Sequence, residues 1–264
     1  MIDFEQIKRY FPEAMREDSN SRKHMLKEYV QVMLLDYLSS TLFVQRMAFI
    51  GGTNLRLIKG IDRFSEDLDF DCSKFSAEEF EIMTDEVVRF LQRSGLRAEA
   101  REKKSAKLIA FRRSIYIPEL LFDLGLTGHR EERFLIKIES QDQGIAYVPQ
   151  LVKVRRCGYF FNIQIPPDSI LCAMKICAML SRAKGRDFYD VMFLLAQTKP
   201  DCKFLERRCG IASMDELRHS VKTLLSKIDL RQKQKDFEHL LMNRENSRRI
   251  LQFGEFIEEL GNEG

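Results

Sequence analysis

The stretch FIGGTNLRLIKGIDRFSEDLDFDC, Phe49 to Cys72, decides how this chain is read. A Gly-Gly pair stands at its front, and Asp67, Asp69 and Asp71 alternate at its back. Both features are costly in ordered structure. Glycine gives up more backbone freedom on folding than any other residue, and neighbouring carboxylates repel one another. The run RMAFIGG predicts a short buried strand ending at glycine, TNLRLIKG a helix start closed by Gly60, and the alternation in SEDLDFDC a second strand. On that strand the three aspartates share one face, and Leu68 and Phe70 point the other way, into a core.

Folding does not require three like charges on one sheet face. A solvated face is one reading. A metal is the other, because hard carboxylate oxygens at this spacing suit Mg²⁺ and the cation removes the repulsion. Two such ions about 4 Å apart can clamp the attacking and leaving oxygens of a phosphoryl or nucleotidyl transfer. Such a site takes a further carboxylate from a neighbouring strand. Glu139 in FLIKIES leads, with Lys137 on its face, and Asp123 and Asp142 compete with it. At the other end of the stretch, backbone at Gly51 and Gly52 allows close approach of an anion at a helix start. Thr53 could add a hydroxyl, and Arg56 and Arg63 could face phosphates, pair with Glu66 or reach solvent. The pattern is neither a P-loop nor GxGxxG.

Working outward, residues 21–40 predict an amphipathic helix. Ser76 with Glu79 is a capping-box signature for a helix carrying Phe80, Met83, Val87 and Phe90, ended by Gly95. Four strands follow in KLIAFRRSIYI, ELLFDLGL, RFLIKIES and GYFFNIQI. Pro166-Pro167 breaks the pattern, with Asp168 as a candidate N-cap. The remainder reads as helical, with a break near Gly185. Strands segregated from helices point to an α+β fold, divided into 1–166, an α/β domain, and 167–264, a helical domain.

At 264 residues, 44% hydrophobic and 31% charged, the composition is that of a globular protein rather than a disordered one. A net charge of +3 does not by itself argue for nucleic acid. Basic clusters occur at Arg101–Lys104, Lys153–Arg156, Arg207–Arg208 and Arg248–Arg249, and each reads equally as a phosphate contact or a solvated surface. No apolar leader and no membrane-length run is evident, so no membrane role and a cytoplasmic location are expected. The six cysteines lack CxxC spacing and are expected as free thiols.

In the helical half, Lys175 lies within an apolar helix and Arg182 seven positions on. Asp187 and Asp190 share a helix face. Lys175 either snorkels to solvent or aims at phosphate. Asp187 pairs structurally with Lys175 or Arg182, or takes part in a site.

GGTNLRLIKGIDRFSEDLDF resembles the AbiEii/AbiGii toxin family within the polymerase-β-like nucleotidyltransferase superfamily, and KICAMLSRAKGRDFYDVMFLL resembles that family's downstream Lys…Arg-Asp-x-x-Asp motif. The resemblance covers about Leu26 to Gln197. It implies a polymerase-β-like core, a mixed sheet flanked by helices, followed by a C-terminal helical domain that closes the nucleotide cleft. It implies Mg²⁺ (or Mn²⁺) on Asp67, Asp69 and Glu139, with Lys175 completing the catalytic set. It implies nucleotide contacts from Gly51, Gly52, Thr53, Arg186, Asp187 and Asp190, and Arg56 and Lys137, by their places beside the glycine turn and Glu139, are expected to add to them. The implied reaction moves a nucleoside monophosphate from an NTP to an acceptor, with RNA (tRNA) expected. The implied setting is a toxin–antitoxin or abortive-infection system with a DNA-binding antitoxin encoded nearby. A metal-dependent nuclease and a non-catalytic nucleotide- or antitoxin-binding protein are the competing functions.

Overall fold

The computed structural model describes residues 2–72, 75–101 and 111–260. The chain forms two units. One comprises Met1–Lys59 with Phe64–Ile165, and the other Gly60–Arg63 with Pro166–Gly264.

The first unit is built on a five-stranded mixed sheet in the order β1-β2-β5-β4-β3. Its strands are β1 (Met47–Ile50), β2 (Asp67–Cys72), β3 (Glu99–Arg101), β4 (Phe111–Ile117) and β5 (Phe134–Gln141). β1 runs antiparallel to β2, β2 parallel to β5, and β4 antiparallel to both β5 and β3. Alternation does the sorting on β2: Leu68 and Phe70 are buried, while Asp67 and Asp69 on the opposite face are half-buried. Ile136 and Ile138 of β5 join the buried face.

Short helices α1 (Phe4–Lys8) and α2 (Glu13–Glu17) lead into α3 (Ser21–Ser39). The expected one-sided helix at 21–40 is buried on most of its circumference, through Met25, Leu26, Val30, Val32, Met33, Leu34, Leu35 and Leu38. Its second half, YVQVMLLDYL, is apolar on most sides, as in a core helix, and α3 packs on the later strand β7 (Tyr159–Ile165) of this unit. After β1 the chain turns directly into α4 (Gly51–Asn54), continued by a π-type turn over Leu55–Lys59. α5 (Ala77–Arg93) starts on the capping box of Ser76 and Glu79 and packs on β4 through Phe80 and Phe111.

Two strand expectations are corrected. ELLFDLGL holds a helical turn, α6 (Leu120–Asp123), not a strand. Pro118 has no N–H for a ladder, and Leu120 and Leu121 are buried side by side rather than alternately. A strand the sequence did not suggest, β6 (Gln150–Arg156), pairs with β7 (Tyr159–Ile165) as a separate antiparallel hairpin. Its turn residues Cys157 and Gly158 both have positive φ, as a two-residue turn of the tightly twisted type requires. The part of KLIAFRRSIYI before Phe111, and the basic cluster beyond Arg101, lie outside the described residues.

The second unit is helical: α7 (Asp168–Arg182), α8 (Gly185–Leu195), α9 (Cys202–Cys209), α10 (Met214–Leu225), α11 (Leu230–Lys235) and α12 (Phe253–Glu259). Asp168 is the first residue of α7 rather than its cap, a place taken by Pro167. The break near Gly185 is present, with Ala183 left-handed. Gly185 is required there, since a Cβ would stand 1.9 Å from the Lys233 carbonyl oxygen of α11. Phe188 and Phe253 meet edge to face at 5.0 Å in the core of this unit. Cys177 of α7 and Cys209 of α9 form a disulfide, against the expectation of free thiols. They are separated by 32 residues, so helix packing rather than local spacing brings them together. Among the described residues no helix is long and apolar enough to cross a membrane.

Candidate active site

Strand register assembles the charged face of the first unit. Asp67 lies beside Lys137, and Asp69 beside Glu139, across the parallel β2–β5 pair. Arg112 of β4 lies beside Glu139 on its other flank. Residues in register on adjacent strands point to the same side, so two aspartates, a glutamate and two cations share one surface. Lys137 Nζ is 3.4 Å from Asp67 Oδ1, and Arg112 Nε is 2.7 Å from Glu139 Oε1. Bonding to Glu139, assisted by the charges of Asp67 and Asp69, raises the pKa of the Arg112 guanidinium above its ordinary value. Of the three candidates for the further carboxylate, only Glu139 lies in register with Asp69. Asp123 pairs with Arg97, and Asp142 caps a turn at Gly144.

Asp71 occupies a different environment. Its carboxylate is buried and accepts from the Tyr147 hydroxyl at 2.6 Å and from the Gln143 backbone N–H at 3.0 Å. It therefore pins the segment after β5 to β2. Burial first, and the bond to Asp71 second, push the Tyr147 phenol well above its ordinary pKa. Burial lifts the neighbouring Cys72 thiol to about 12, so that thiol stays protonated.

The glycine turn is built against the acidic strand. Gly51 has φ +80°, and a Cβ there would lie 2.0 Å from Asp69 Oδ2. Only glycine permits this approach. Thr53 is buried, and its hydroxyl donates to the Asp67 carbonyl oxygen at 2.5 Å, fixing the turn to β2. Asn54 closes the turn from within by donating to the Phe49 carbonyl oxygen at 2.7 Å. Arg56 is turned to the buried Glu28 of α3 at 2.8 Å, and Arg156 of β6 binds the same carboxylate.

In the second unit, the residues of the downstream motif are joined to one another. Asp190 is fully buried. It accepts from both Arg63 Nε and Nη2 at 2.6 Å and from Lys175 Nζ at 2.8 Å. Burial pushes its carboxyl up, but the charges of Arg63 and Lys175 outweigh this and hold it well below the carboxylate range, at about 2. Asp187, also buried, is held by Arg182 at 2.7 and 2.9 Å and by the Lys184 backbone N–H. Arg186 is half-buried at the start of α8.

Asp67, Asp69, Glu139, Lys137, Gly51, Gly52 and Thr53 are thus gathered in the first unit, whereas Lys175, Arg186, Asp187 and Asp190 belong to the second. Among the described residues, no three Asp, Glu, His or Cys side chains converge closely enough to form a ready-made metal cage. Sequence reasoning missed Arg112, the Asp71–Tyr147 bond and Glu28. The alternation of FRRSIYI does place Arg112 on one face of its strand. Nothing local marks the other two.

Residues 33–257 match the family model described as nucleotidyl transferase AbiEii toxin, type IV toxin–antitoxin system. No curated protein matches the chain in sequence. Among solved structures, the nucleotidyltransferase toxin MenT4 from Mycobacterium tuberculosis is similar with a TM-score of 0.64 at 18% identity, over 98% of this chain and 90% of that one. JHP933 from Helicobacter pylori is similar with a TM-score of 0.55 at 21% identity, over 90% and 92%. These likenesses are of fold. The family model spans most of the sequence, including both the glycine turn and the aspartate strand that it packs against, and this chain therefore belongs to the nucleotidyl transferase AbiEii toxin family and is a nucleotidyltransferase.

Proposed function

We propose that the protein is the toxin of a type IV system that moves a nucleoside monophosphate from an NTP to an RNA acceptor, with tRNA the first candidate. The proposal places it in the cytoplasm, with Mg²⁺ or Mn²⁺ and an antitoxin encoded alongside. The observation that carries it is the packing of Gly51 against Asp69, which leaves no room for a side chain between the glycine turn and the carboxylate strand. In this reading Gly51 and Gly52 let backbone approach the triphosphate, and Thr53 holds the turn on Asp67 rather than touching phosphate.

The donor set suits a hard divalent cation: Asp67 and Asp69 are half-buried carboxylates on one face, two oxygen-donor groups of the kind such an ion takes. They would hold the ion, with Glu139 as third ligand on exchange of its Arg112 partner. When bound, the ion stabilises charge developing on the phosphate oxygens. The acceptor hydroxyl oxygen bonds to the α-phosphorus as its proton passes to solvent water, and the bond from that phosphorus to the β-phosphate oxygen breaks, releasing pyrophosphate. Lys137, next to Asp67, is placed to meet negative charge on the nucleotide. From the second unit, the reading takes Lys175 and Arg186 as nucleotide contacts by their place in the family motif. Asp187 and Asp190 enter it as the groups that hold those cations' neighbourhood in shape.

The test is incubation of the protein with each α-labelled NTP, Mg²⁺ and total tRNA. Label on tRNA is the expected result. A folded sample that labels no RNA with any NTP contradicts the reading.

A further inference from the structure

The outer face of the β6–β7 hairpin combines exposed apolar, cationic and amide side chains. Leu151, Lys153 and Arg155 of β6 point outward and stand in register with Gln164, Asn162 and Phe160 of β7. Phe160 is 66% exposed and Leu151 67%. The opposite face, with Val154, Phe161, Ile163 and Ile165, is buried. From Gln143 to Pro167 the sequence contains no Asp or Glu, in a chain that has 40 of them. Arg156, on the inner face, is neutralised by Glu28. Lys153 and Arg155 have no such partner: among the described residues neither makes an ion pair. The side chains of Asn162 and Gln164 make no hydrogen bond there either.

We infer that this hairpin face is the docking surface for a single-stranded segment of the RNA acceptor. The inference deepens the acceptor part of the proposed function and rests on it. Two cations that make no ion pair among the described residues, on a hairpin whose own sequence lacks Asp and Glu, complement a phosphate backbone. An exposed phenyl ring in register with Arg155 offers a stacking platform for an unpaired base, as single-strand binders use. Side-chain amides on the neighbouring positions supply donors and acceptors for base edges. The face is also tied to the candidate active site within the first unit. Arg156 and Arg56 share Glu28, and Arg56 lies in the π-type turn that continues from the glycine turn.

The test uses the full-length protein without NTP and a short, unstructured, fluorescein-labelled RNA, read by anisotropy across a salt series. Phe160→Ala is expected to weaken binding about 5- to 150-fold, the loss of one stacked base. The double variant Lys153→Ala/Arg155→Ala is expected to flatten the slope of log affinity against log salt by about 1.4, since each phosphate contact in a single strand contributes about 0.7. All three side chains are exposed, so thermal melting should match the wild type and exclude misfolding. Variants that bind RNA with wild-type affinity and salt slope overturn the inference, whether or not they lose a protein partner, and so does a wild type that binds no RNA. Label transfer onto RNA by the wild type, alongside unchanged binding by the variants, would sink this surface and leave the proposed reaction standing. Binding lost in the variants, with no label transferred by the wild type, would do the reverse.

Discussion

Arg63 and Asp190 form a two-pronged ion pair, with both N–O distances at 2.6 Å and both side chains almost wholly removed from solvent. Arg63 stands only four positions before Asp67 in the sequence, yet it belongs to the helical unit with Gly60–Ile61–Asp62. Asp62 is held there too, accepting from Tyr189 and Asn246. The short segment between the glycine turn and the acidic strand is therefore a structural member of the second unit. A sequence-level reading of Arg63 as a phosphate or solvent contact does not survive this burial.

Replacing Asp190 by Asn strands two buried cations. Removing one partner of a buried pair costs about 3–5 kcal/mol, so Asp190→Asn should unfold at much lower denaturant than the wild type. The pH dependence has a definite sign. The folded pKa of Asp190 is depressed from 3.8 to about 2, so its stabilisation is present above the unfolded value and is lost as pH falls through that window. Denaturant midpoints from pH 5 down to pH 2 should fall more steeply for the wild type than for Asp190→Asn.

Lys175→Met is the milder change, because Arg63 remains on Asp190. A loss of about 1.5–3 kcal/mol, the range for a hydrogen bond to a charged group, is expected in the same unfolding measurement. If Lys175 also serves the nucleotide, calorimetric titration of the folded variant with NTP will show weaker binding. Unchanged NTP affinity would confine Lys175 to its structural bond.

Gly51→Ala is predicted to damage the site more than the fold. The left-handed conformation costs a residue with a Cβ about 1–2 kcal/mol, and the methyl group would overlap Asp69. A displacement of about 1 Å at a reacting centre can lower the rate about 100-fold. Transfer rates should therefore fall by that order while the melting transition stays cooperative. Wild-type rates in Gly51→Ala would show that the turn does not set the position of Asp69.

Arg112→Gln frees Glu139 from its ion pair. An exposed pair of this kind is worth about 0.2–1 kcal/mol, so Mn²⁺ affinity, read by the resonance of the free ion, should tighten by about 1.4- to 5-fold. A weaker affinity would mean that Arg112 holds Glu139 in place for the metal rather than competing for it.

The parts of the fold legible in the sequence were those where local pattern and tertiary burial agree. The alternation of DLDFDC and the Ser76–Glu79 box are each decided by neighbours within a few residues, and the break near Gly185 shows locally as a glycine between two apolar runs, although the distant Lys233 carbonyl oxygen is what requires glycine there. β6 was hidden because its outward positions, Leu151, Lys153 and Arg155, mix apolar and charged residues, so no polar face alternates with the inward Val152 and Val154. The disulfide, the Glu28 cluster and the Arg63–Asp190 pair are long-range, set by how elements pack, and no spacing announces them. Within the candidate site, the register of β2 on β5 supplied what the sequence lacked. It set Glu139 beside Asp69 and showed that Arg112 already holds it.

The central claim is that Asp67 and Asp69 carry nucleotidyl transfer beside the glycine turn. It is tested most directly by measuring label transfer from α-labelled NTP to tRNA, in Mg²⁺, by the wild type, Asp67→Asn and Asp69→Asn, with melting curves on the same samples. The account predicts transfer by the wild type and none above background by either folded variant. Transfer at wild-type rate by either variant would contradict it.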